Sequence, residues 1–393
     1  MTTQVYVVAG LAYGDEGKGA TVDFLVREKG AGLVVRYNGG PQAAHNVVTS
    51  DGRHHTFSQF GSGMFVTGVK SHLSRFMLVN PISMVEEEKH LHIIGVSDAF
   101  QRATIDAEAL IVTPFQQAVN RIEQLALGVH TSCGQGVGQT RADHIRYGMR
   151  VLFAGDLKLE WLSEMKLRFM QQVSRKAVEG IVGDEKIREE MRVLEEPAAI
   201  DWVADCYQKW AKKVSIVDSL ELASLLEGTD CTIFEGAQGV LLDEKYGEEG
   251  FNSWTNTTFE NAFTLLKECG YVGSVCRLGV IRSYFTRHGD GPLKDEDDYF
   301  LRISPEFHNS GSGFQGKFRT GFFDRAAFQF ALRCCDGVDA VALNHLDKYM
   351  DSPQKLLKEV PVLIHGFGPT AKDREIDKRV EVQIQEGGVY ESK

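Results

Sequence analysis

The chain has 393 residues, of which 43% are hydrophobic and 25% are charged, and its formal net charge at pH 7 is −11. This length and apolar content suffice for a large buried core, which excludes disordered and fibrous proteins. The negative charge argues against non-specific binding to nucleic acid or to an anionic membrane surface.

The N-terminal segment lacks the basic residues of a signal peptide, and the sequence has no run of eighteen apolar residues that could span a membrane. Its seven cysteines include no C-x-x-C pair, which favours reduced thiols over a disulfide framework. We therefore expect a cytoplasmic protein that acts on small molecules and binds neither nucleic acid nor a membrane.

Apolar, β-branched runs predict the strands of a parallel sheet. The first run, at residues 5–9, precedes a glycine-rich stretch and a helix-like segment at residues 21–27, the opening unit of a nucleotide-binding α/β fold. A second run at residues 32–36 predicts a parallel strand joined by a right-handed crossover. Similar apolar runs lie at residues 93–96, 110–113, 231–234, 275–280 and 340–343.

Between about residues 157 and 226, charged and apolar residues recur at helical spacing, as in residues 185–194. We interpret this stretch as a helical insertion on the flank of the sheet, because no Pro/Ser-rich linker separates it from the rest. The prediction is one α/β domain over residues 1–393, with a large, mostly parallel sheet, helices on both faces and a P-loop-NTPase-like opening unit.

The strongest local motif follows the first strand and reads Gly14-Asp15-Glu16-Gly17-Lys18-Gly19. It departs from a Walker A loop, because Ala12 replaces the first glycine and Gly19 replaces the Ser/Thr that would hold magnesium. The glycines still allow backbone N–H groups to face phosphate oxygens at a helix N-terminus, and Lys18 adds positive charge. An acid at Asp15 would repel phosphate unless it binds a metal or takes up a proton, so we expect it to do one of these.

Two further segments follow predicted strands and glycine turns: residues 36–46, which contain His45, and residues 234–243. Such turns are where a ligand crevice forms in open parallel sheets. Together with the glycine loop and with residues 286–292, 319–324 and 343–347, these segments resemble the adenylosuccinate synthetase family in order and spacing. The match extends from about residue 5 to residue 351.

The resemblance implies the adenylosuccinate synthetase fold and a two-step ligation. Asp15 would be the base that removes the purine N1 proton, and His45 would stabilise the leaving β-phosphate while the γ-phosphoryl group moves to O6. The amine of L-aspartate then displaces that phosphate. Lys18 and Mg²⁺ would neutralise the developing charge, with Mg²⁺ bound by Asp15 and the carbonyl of Ala44.

The resemblance also implies the binding residues for each substrate. Those for the nucleoside triphosphate, GTP or ATP, are Gly14, Glu16, Gly17, Lys18, Gly19, Asn46, His345 and Asp347. Those for the purine nucleotide are Asp15, Gln42, Ser132, Cys133, Arg146, Gln238 and Ser253. Arg146 would reach across the interface of a homodimer. Lys317 and Arg319 would hold the aspartate carboxylates, a task suited to arginine.

The sequence departs from the family pattern inside these pockets. Gln42 stands where the family has Asn, Cys133 where it has Thr, and Ala20 where it has Lys. In residues 343–347, the segment that binds guanine in the family, His345 replaces a Lys. Lys317 and Arg319 remain from a longer basic run, beside a Gly/Ser loop at residues 309–316, and the C-terminal region after about residue 351 is short. The catalytic residues are thus kept, whereas the residues that choose the purine and the triphosphate are altered.

These departures leave several functions open. The first is ligation of IMP and aspartate with GTP. The second uses GMP or dGMP with ATP or dATP, as in phage 2-aminoadenylosuccinate synthetases, although those replace the catalytic Asp with Ser and the present chain has Asp15. A nucleoside-antibiotic analogue is a third acceptor. A catalytically silent nucleotide-binding regulator is a fourth possibility, favoured by Ala20 and by the shortened basic run at Lys317 and Arg319. The joint presence of Asp15, Lys18 and His45 argues against it. A Rossmann oxidoreductase is disfavoured because no G-x-G-x-x-G follows the first strand.

Overall fold

The computed structural model of the protein describes residues 3–303, 314–348, 356–358, 360–387 and 390–391. Within these residues the strands are β1 (Gln4–Gly10), β2 (Leu33–Arg36), β3 (His45–Val48), β4 (His54–Phe57), β5 (Lys70–Leu73), β6 (Leu78–Val79), β7 (Ala103–Asp106), β8 (Leu110–Ile111), β9 (Ser215–Val217), β10 (Cys231–Glu235), β11 (Val272–Gly273), β12 (Val275–Arg282), β13 (Phe285–His288), β14 (Phe318–Gly321), β15 (Ala340–Asn344), β16 (Val362–Gly366), β17 (Arg374–Ile376) and β18 (Tyr390–Glu391).

The helices of the described residues connect these strands. They are α1 (Lys18–Lys29), α2 (Pro81–Ile93), α3 (Pro114–Leu127), α4 (Val137–Tyr147), α5 (Glu160–Ala177), α6 (Glu185–Glu195), α7 (Ala198–Ala211), α8 (Glu221–Glu227), α9 (Glu260–Glu268), α10 (Tyr299–Ile303), α11 (Arg325–Cys334) and α12 (Lys378–Gly387). None of these helices is both long and apolar enough to cross a membrane.

Ten strands form one sheet in the order β17-β16-β15-β12-β1-β10-β2-β5-β7-β9. Neighbouring strands are parallel throughout, except for the antiparallel pair β16 and β17. Along β1, Val5, Val7 and Ala9 pack into one apolar cluster, whereas Tyr6 and Val8 pack into another. Both faces of the strand are therefore buried, as expected for a parallel sheet covered by helices on both sides. The predicted fold class is confirmed.

Of the predicted strands, the one at residues 93–96 is wrong and the one at residues 110–113 is only partly present. Residues 93–96 are the end of α2 and the turn that follows, in which Gly95 has a φ of 94°. Of residues 110–113, Leu110 and Ile111 form β8, which pairs with β6 outside the ten-stranded sheet. Thr113 caps α3 instead, since its side chain and that of Gln116 form a capping box. Short apolar runs do not distinguish a strand from a helix end.

The stretch predicted as a helical insertion contains α5, α6 and α7, and α8 closes it. It also contains β9, which pairs in parallel with β7 at the edge of the main sheet. Its amphipathic helices bury residues such as Leu167, Met170 and Trp210 in the same apolar cluster as α2 and α3. The insertion therefore shares the core of the main domain.

Candidate active site

The loops that follow β1, β2, β10, β12 and β15 meet at the carboxyl edge of the sheet, because parallel strands end there together. They surround a cleft of about 1350 Å³. Most of the residues proposed from sequence line it: Gly14, Asp15, Gly17, Lys18, Gly19, Gln42, Ala44, His45, Asn46, Ser132, Cys133, Gln238, Ser253, His345 and Asp347. Residues far apart in the sequence are thus brought to one site.

The glycine loop forms the anion-binding end of this cleft. Gly17 precedes the first residue of α1 in a left-handed conformation with a φ of 92°, and an added Cβ would lie 2.8 Å from the side-chain nitrogen of Asn344. Lys18 is the first residue of the helix and donates to Glu16 Oε2 at 2.6 Å. Glu16 Oε1 accepts from the backbone N–H groups of Ala12 and Gly14 at 3.0 and 2.9 Å. Glu16 therefore holds the loop from within, while the helix N-terminus faces the cleft.

Asp15 has a left-handed backbone with a φ of 60°, which is uncommon for a residue other than glycine and is tolerated best by Asp and Asn. Its Oδ2 lies 3.0 Å from His288 Nε2, and its carbonyl accepts from Arg282 Nε. Burial alone would raise the pKa of Asp15, but His288, Arg282 and Lys18 together hold it below its usual value. The carboxylate is ionised at neutral pH, the state that a base or a metal ligand requires.

His45 begins β3 and packs against the glycine loop, since a Cβ added to Gly19 would lie 2.7 Å from the Cβ of His45. Its Nδ1 lies 2.6 Å from Oε1 of the fully buried Glu235, which also accepts from the backbone N–H and the hydroxyl of Ser62. Burial is the main cause that lowers the pKa of His45, and Arg36 and Lys18 add to it. We therefore assign a neutral imidazole that donates from Nδ1 to Glu235 and presents Nε2 to the cleft.

The opposite wall carries amides and a second helix N-terminus. Both polar atoms of the Gln42 carboxamide are buried without a hydrogen-bond partner in the described part of the protein. Gln238 Oε1 accepts from the hydroxyls of Ser253 and Thr255 at 2.8 and 3.1 Å, which leaves its NH₂ group as a donor. Ser132 lies in the loop that leads into α4, which starts after Gly136. This wall can therefore accommodate a polar base and a phosphate.

The third region of the cleft follows β15. The side-chain nitrogen of Asn344 donates to the Glu16 carbonyl at 2.9 Å and thereby ties this region to the glycine loop. Burial, reinforced by Arg282, Arg374 and Lys348, holds the pKa of His345 well below its usual range, so its imidazole is neutral. Asp347 is exposed and pairs with Lys348 at 2.7 Å.

Four of the predicted residues do not line the cleft. Glu16 lies beneath the glycine loop, and Arg146 is exposed on α4. Lys317 is exposed, and Arg319 donates to Glu296 Oε2 at 2.7 Å and to the Gly291 carbonyl at 2.6 Å. Residues 309–313 of the predicted Gly/Ser loop lie outside the described residues.

Comparison with known proteins identifies the architecture. The family model for adenylosuccinate synthetase matches residues 7–362. The chain belongs to the adenylosuccinate synthetase family. Members of this family are ligases that form a C–N bond with a nucleoside triphosphate, and the chain is an enzyme of this type.

Relatives and solved structures agree with this membership. The adenylosuccinate synthetase of Buchnera aphidicola (subspecies Schizaphis graminum) is 29% identical over 380 residues, covering 92% of this chain and 80% of the relative. That of Anaeromyxobacter dehalogenans strain 2CP-C is 30% identical over 352 residues, covering 87% and 76%. A fully ligated adenylosuccinate synthetase from Plasmodium falciparum has the same fold, with a TM-score of 0.75 at 19% identity over 95% of this chain and 100% of that one.

A phage enzyme also shares the fold. Succinoaminodeoxyadenylate synthetase of cyanophage S-2L, solved with dGMP and with dATP as energy donor, has a TM-score of 0.66 at 17% identity. The alignment covers 98% of this chain and 99% of the phage protein. At this identity the likeness concerns the fold alone.

Within this adenylosuccinate synthetase fold, sequence reasoning overlooked three residues around the site. Glu235, Arg287 and His288 all lie in the motifs that carried the family resemblance, yet none was given a role. For Glu235 a signal existed, since an acid that ends an apolar parallel strand is buried at the edge where ligands bind. For His288 and Arg287 no local signal exists, since both lie on β13 and contact Asp15 and Tyr13, which are distant in the sequence.

The family implies Mg²⁺, and the cleft offers suitable ligands. In the described residues no cluster of three or more His, Cys, Asp or Glu side chains could hold a metal alone. Mg²⁺ is commonly bound by one or two carboxylates together with substrate phosphates and water. The ionised Asp15 carboxylate and the exposed Ala44, beside the phosphate-binding loop, fit that mode.

Proposed function

We propose that the enzyme joins L-aspartate to C6 of a 6-oxopurine nucleotide through a 6-phosphoryl intermediate, at the expense of GTP or ATP. The observation that carries this proposal is the convergence of Asp15, Lys18 and His45 on one cleft. Each of the three already contacts a group that fixes its orientation: His288, Glu16 and Glu235. A silent regulator would not require three oriented catalytic groups in one place.

The chemistry divides between these groups. Asp15 accepts the N1 proton, so that the purine O6 attacks the γ-phosphorus and the bond from that phosphorus to the β-phosphate oxygen breaks. His45 and Lys18 stabilise the negative charge left on the β-phosphate. The aspartate amine then attacks C6, the C6–O6 bond breaks, and inorganic phosphate leaves with O6. Mg²⁺ held by Asp15 and the Ala44 carbonyl would neutralise phosphate charge.

The acceptor pocket supports a base with an O6 atom. The carboxamide of Gln42, which has no hydrogen-bond partner among the described residues, can donate to such an oxygen, and the NH₂ group of Gln238 can serve a second polar atom of the nucleotide. Ser132, Cys133 and the N-terminus of α4 are proposed to hold the 5′-phosphate.

A second candidate function keeps the reaction and uses GMP or dGMP with ATP or dATP. It is favoured by Gln42, whose side chain is one methylene longer than the family's Asn, and by the neutral His345 in the donor region. Asn46, His345 and Asp347 are proposed to contact the triphosphate in either case, and Lys317 and Arg319 to serve the aspartate end.

We also propose a homodimer. Arg146 is exposed and lies outside the cleft of its own chain. Ile145 is 69% exposed, although it lines the rim of that cleft, and Met149 nearby is 72% exposed. An apolar rim of this kind favours association with a second copy, whose cleft Arg146 would enter.

The deciding experiment measures phosphate release with L-aspartate and Mg²⁺, crossing IMP, dIMP, GMP and dGMP against GTP, ATP and dATP. We expect one productive pair, confirmed by the mass of the succinyl product. The matched control is Asp15→Asn, because Asn tolerates the same left-handed backbone while losing the base, and it should be inactive. Nucleotide binding without product in every combination would contradict the proposal and support a regulator.

A further inference from the structure

Arg287 is a buried arginine that faces the cleft. It lies on β13, is 3% exposed and lines the cleft. Within the described residues it forms no ion pair with an acid. Its Nη1 donates to the Pro292 carbonyl at 2.7 Å, and its guanidinium lies 4.4 Å from the ring centroid of Tyr13. A guanidinium carries five N–H donors, so several remain for a ligand.

The surroundings hold this side chain in place. Gly291 has a φ of 114°, and an added Cβ would lie 2.4 Å from Arg287 Nη2. The ring of Phe251 packs 5.7 Å from the guanidinium on another side. The carbonyl of Gly291 accepts from Arg319, which keeps the turn against the guanidinium. The side chain is thus preorganised rather than mobile, which lowers the cost of binding a ligand.

Burial of a cation without a counterion raises the free energy of the folded protein, and a bound anion offsets that desolvation penalty. Burial, together with the charge of Arg319, lowers the pKa of Arg287, and the nearby Tyr13 and Glu248 oppose this effect without outweighing it. Arg319 differs from Arg287, because Glu296 already neutralises it and it does not line the cleft. Of this cross-strand pair, Arg287 is the member that is available to an incoming anion.

We propose that Arg287 binds a carboxylate of the amino-acid substrate, and that Arg319 is a positioning residue that acts through the Gly291 turn. The assignment rests on the proposed ligase function. Arg287 lies against Tyr13, ahead of the glycine loop, whereas the groups suited to phosphate follow that loop at Lys18 and the N-terminus of α1. Its neighbour in sequence, His288, contacts Asp15, so a carboxylate bound here would place the amine close to the reacting base.

The test compares Arg287→Gln, Arg287→Lys and Arg319→Gln in steady-state kinetics, with Arg75→Gln as a control for loss of a surface arginine that pairs with Glu268. We expect Arg287→Gln to raise the KM for aspartate by about 10- to 100-fold, the range of a lost charge-assisted hydrogen bond, and both nucleotide KM values to change less than about threefold. Arg287→Lys should recover part of the loss, and Arg319→Gln should have a smaller effect. An unchanged aspartate KM, or an equal rise in a nucleotide KM, would overturn the assignment.

A binding experiment separates this inference from the ligase proposal. With nucleotides present, L-aspartate should raise the Tm of the wild type more than inorganic phosphate does, and Arg287→Gln should lose that shift. If Arg287→Gln fails to fold, Arg287→Lys provides the second variant, because it keeps the charge and loses the planar guanidinium, and its Tm shift with L-aspartate should be smaller than that of the wild type. Absence of succinyl product from the wild type would refute the ligase function alone, whereas a Tm shift with phosphate that depends on Arg287 would refute the carboxylate site.

Discussion

Replacing Glu235 with glutamine tests whether the orientation of His45 determines turnover. One carboxylate oxygen of Glu235 accepts from the Ser62 N–H at 2.9 Å, and the other faces His45 Nδ1 at 2.6 Å. A glutamine must present its carbonyl oxygen to the Ser62 N–H, because that group can only donate. Its NH₂ group then faces His45 Nδ1, which is forced to accept, and the imidazole proton moves to Nε2.

The expected loss of kcat follows from the contact between this carboxylate and His45. Loss of the correct histidine tautomer should lower kcat by about 10² to 10⁴, the usual contribution of a positioned acid–base group. Burial alone would raise the pKa of Glu235, but the contacts with His45, Arg36 and Ser62 outweigh it and hold that pKa well below 4.5, so the carboxylate stabilises the folded state. Because the pKa of Glu235 is lower in the folded than in the unfolded protein, this stabilisation is complete above pH 4.5 and is lost as the pH falls toward 2.

The assay combines kcat for the productive substrate pair with urea unfolding at neutral pH. The matched control is Glu87→Gln, since Glu87 is also buried, accepts from three backbone N–H groups and lies 3.7 Å from His55, away from the cleft. Both variants should be destabilised, but Glu235→Gln alone should lose turnover, to an extent similar to His45→Asn. A Glu235→Gln enzyme with kcat within threefold of wild type would refute the orientation argument.

Three further outcomes are expected. Gly19→Ala should lower kcat by roughly 10²-fold in a folded protein, because the new Cβ would lie 2.7 Å from the Cβ of His45, the proposed catalytic histidine, and displace it. Arg146→Ala and Asp15→Asn should each be inactive alone, and mixing them should restore activity if one copy serves the cleft of the other; no recovery would contradict the shared site. Burial lowers the pKa of His72 from 6.5 to about 4, so the unfolded chain binds the proton more tightly. Between about pH 7.5 and 4.5 the wild type should therefore lose about 2 kcal/mol more unfolding free energy than His72→Gln, and equal losses would refute this.

The opening unit of the fold could be predicted because its signals are local. Residues 5–9 are apolar and β-branched, and the glycine loop and α1 follow at once. The β3–β4 hairpin escaped prediction because polar residues such as His45, Asn46 and Thr56 interrupt its short apolar stretches. Val47 and Phe57 of this hairpin pack into the apolar core, whereas His45 and Asn46 line the cleft.

The candidate site residues that the sequence singled out lie in local motifs. Asp15, Lys18 and His45 belong to that class, and the structure brings them to one cleft. Glu235 and His288 act on them from strands that are distant in sequence, and only the strand order places those partners beside them. Arg319 was predicted to bind aspartate from its residue type and position, and its ion pair with Glu296 is a contact that the sequence alone does not reveal.

The pattern of internal pairing suggests where the specificity of this enzyme resides. A charged or ionisable partner inside the protein pairs with each of Lys18, His45 and Asp15. Binding of phosphate or metal therefore exchanges one partner for another and adds little net affinity. Gln42 and Arg287 have no such partner in the part of the chain that the structure describes, and a ligand that fails to satisfy them leaves a buried amide or cation uncompensated. Discrimination is strongest at groups of this kind, because the wrong ligand incurs the full desolvation penalty. We therefore expect Gln42 to govern the choice of purine and Arg287 the choice of amino acid, while the paired residues carry the chemistry common to every substrate.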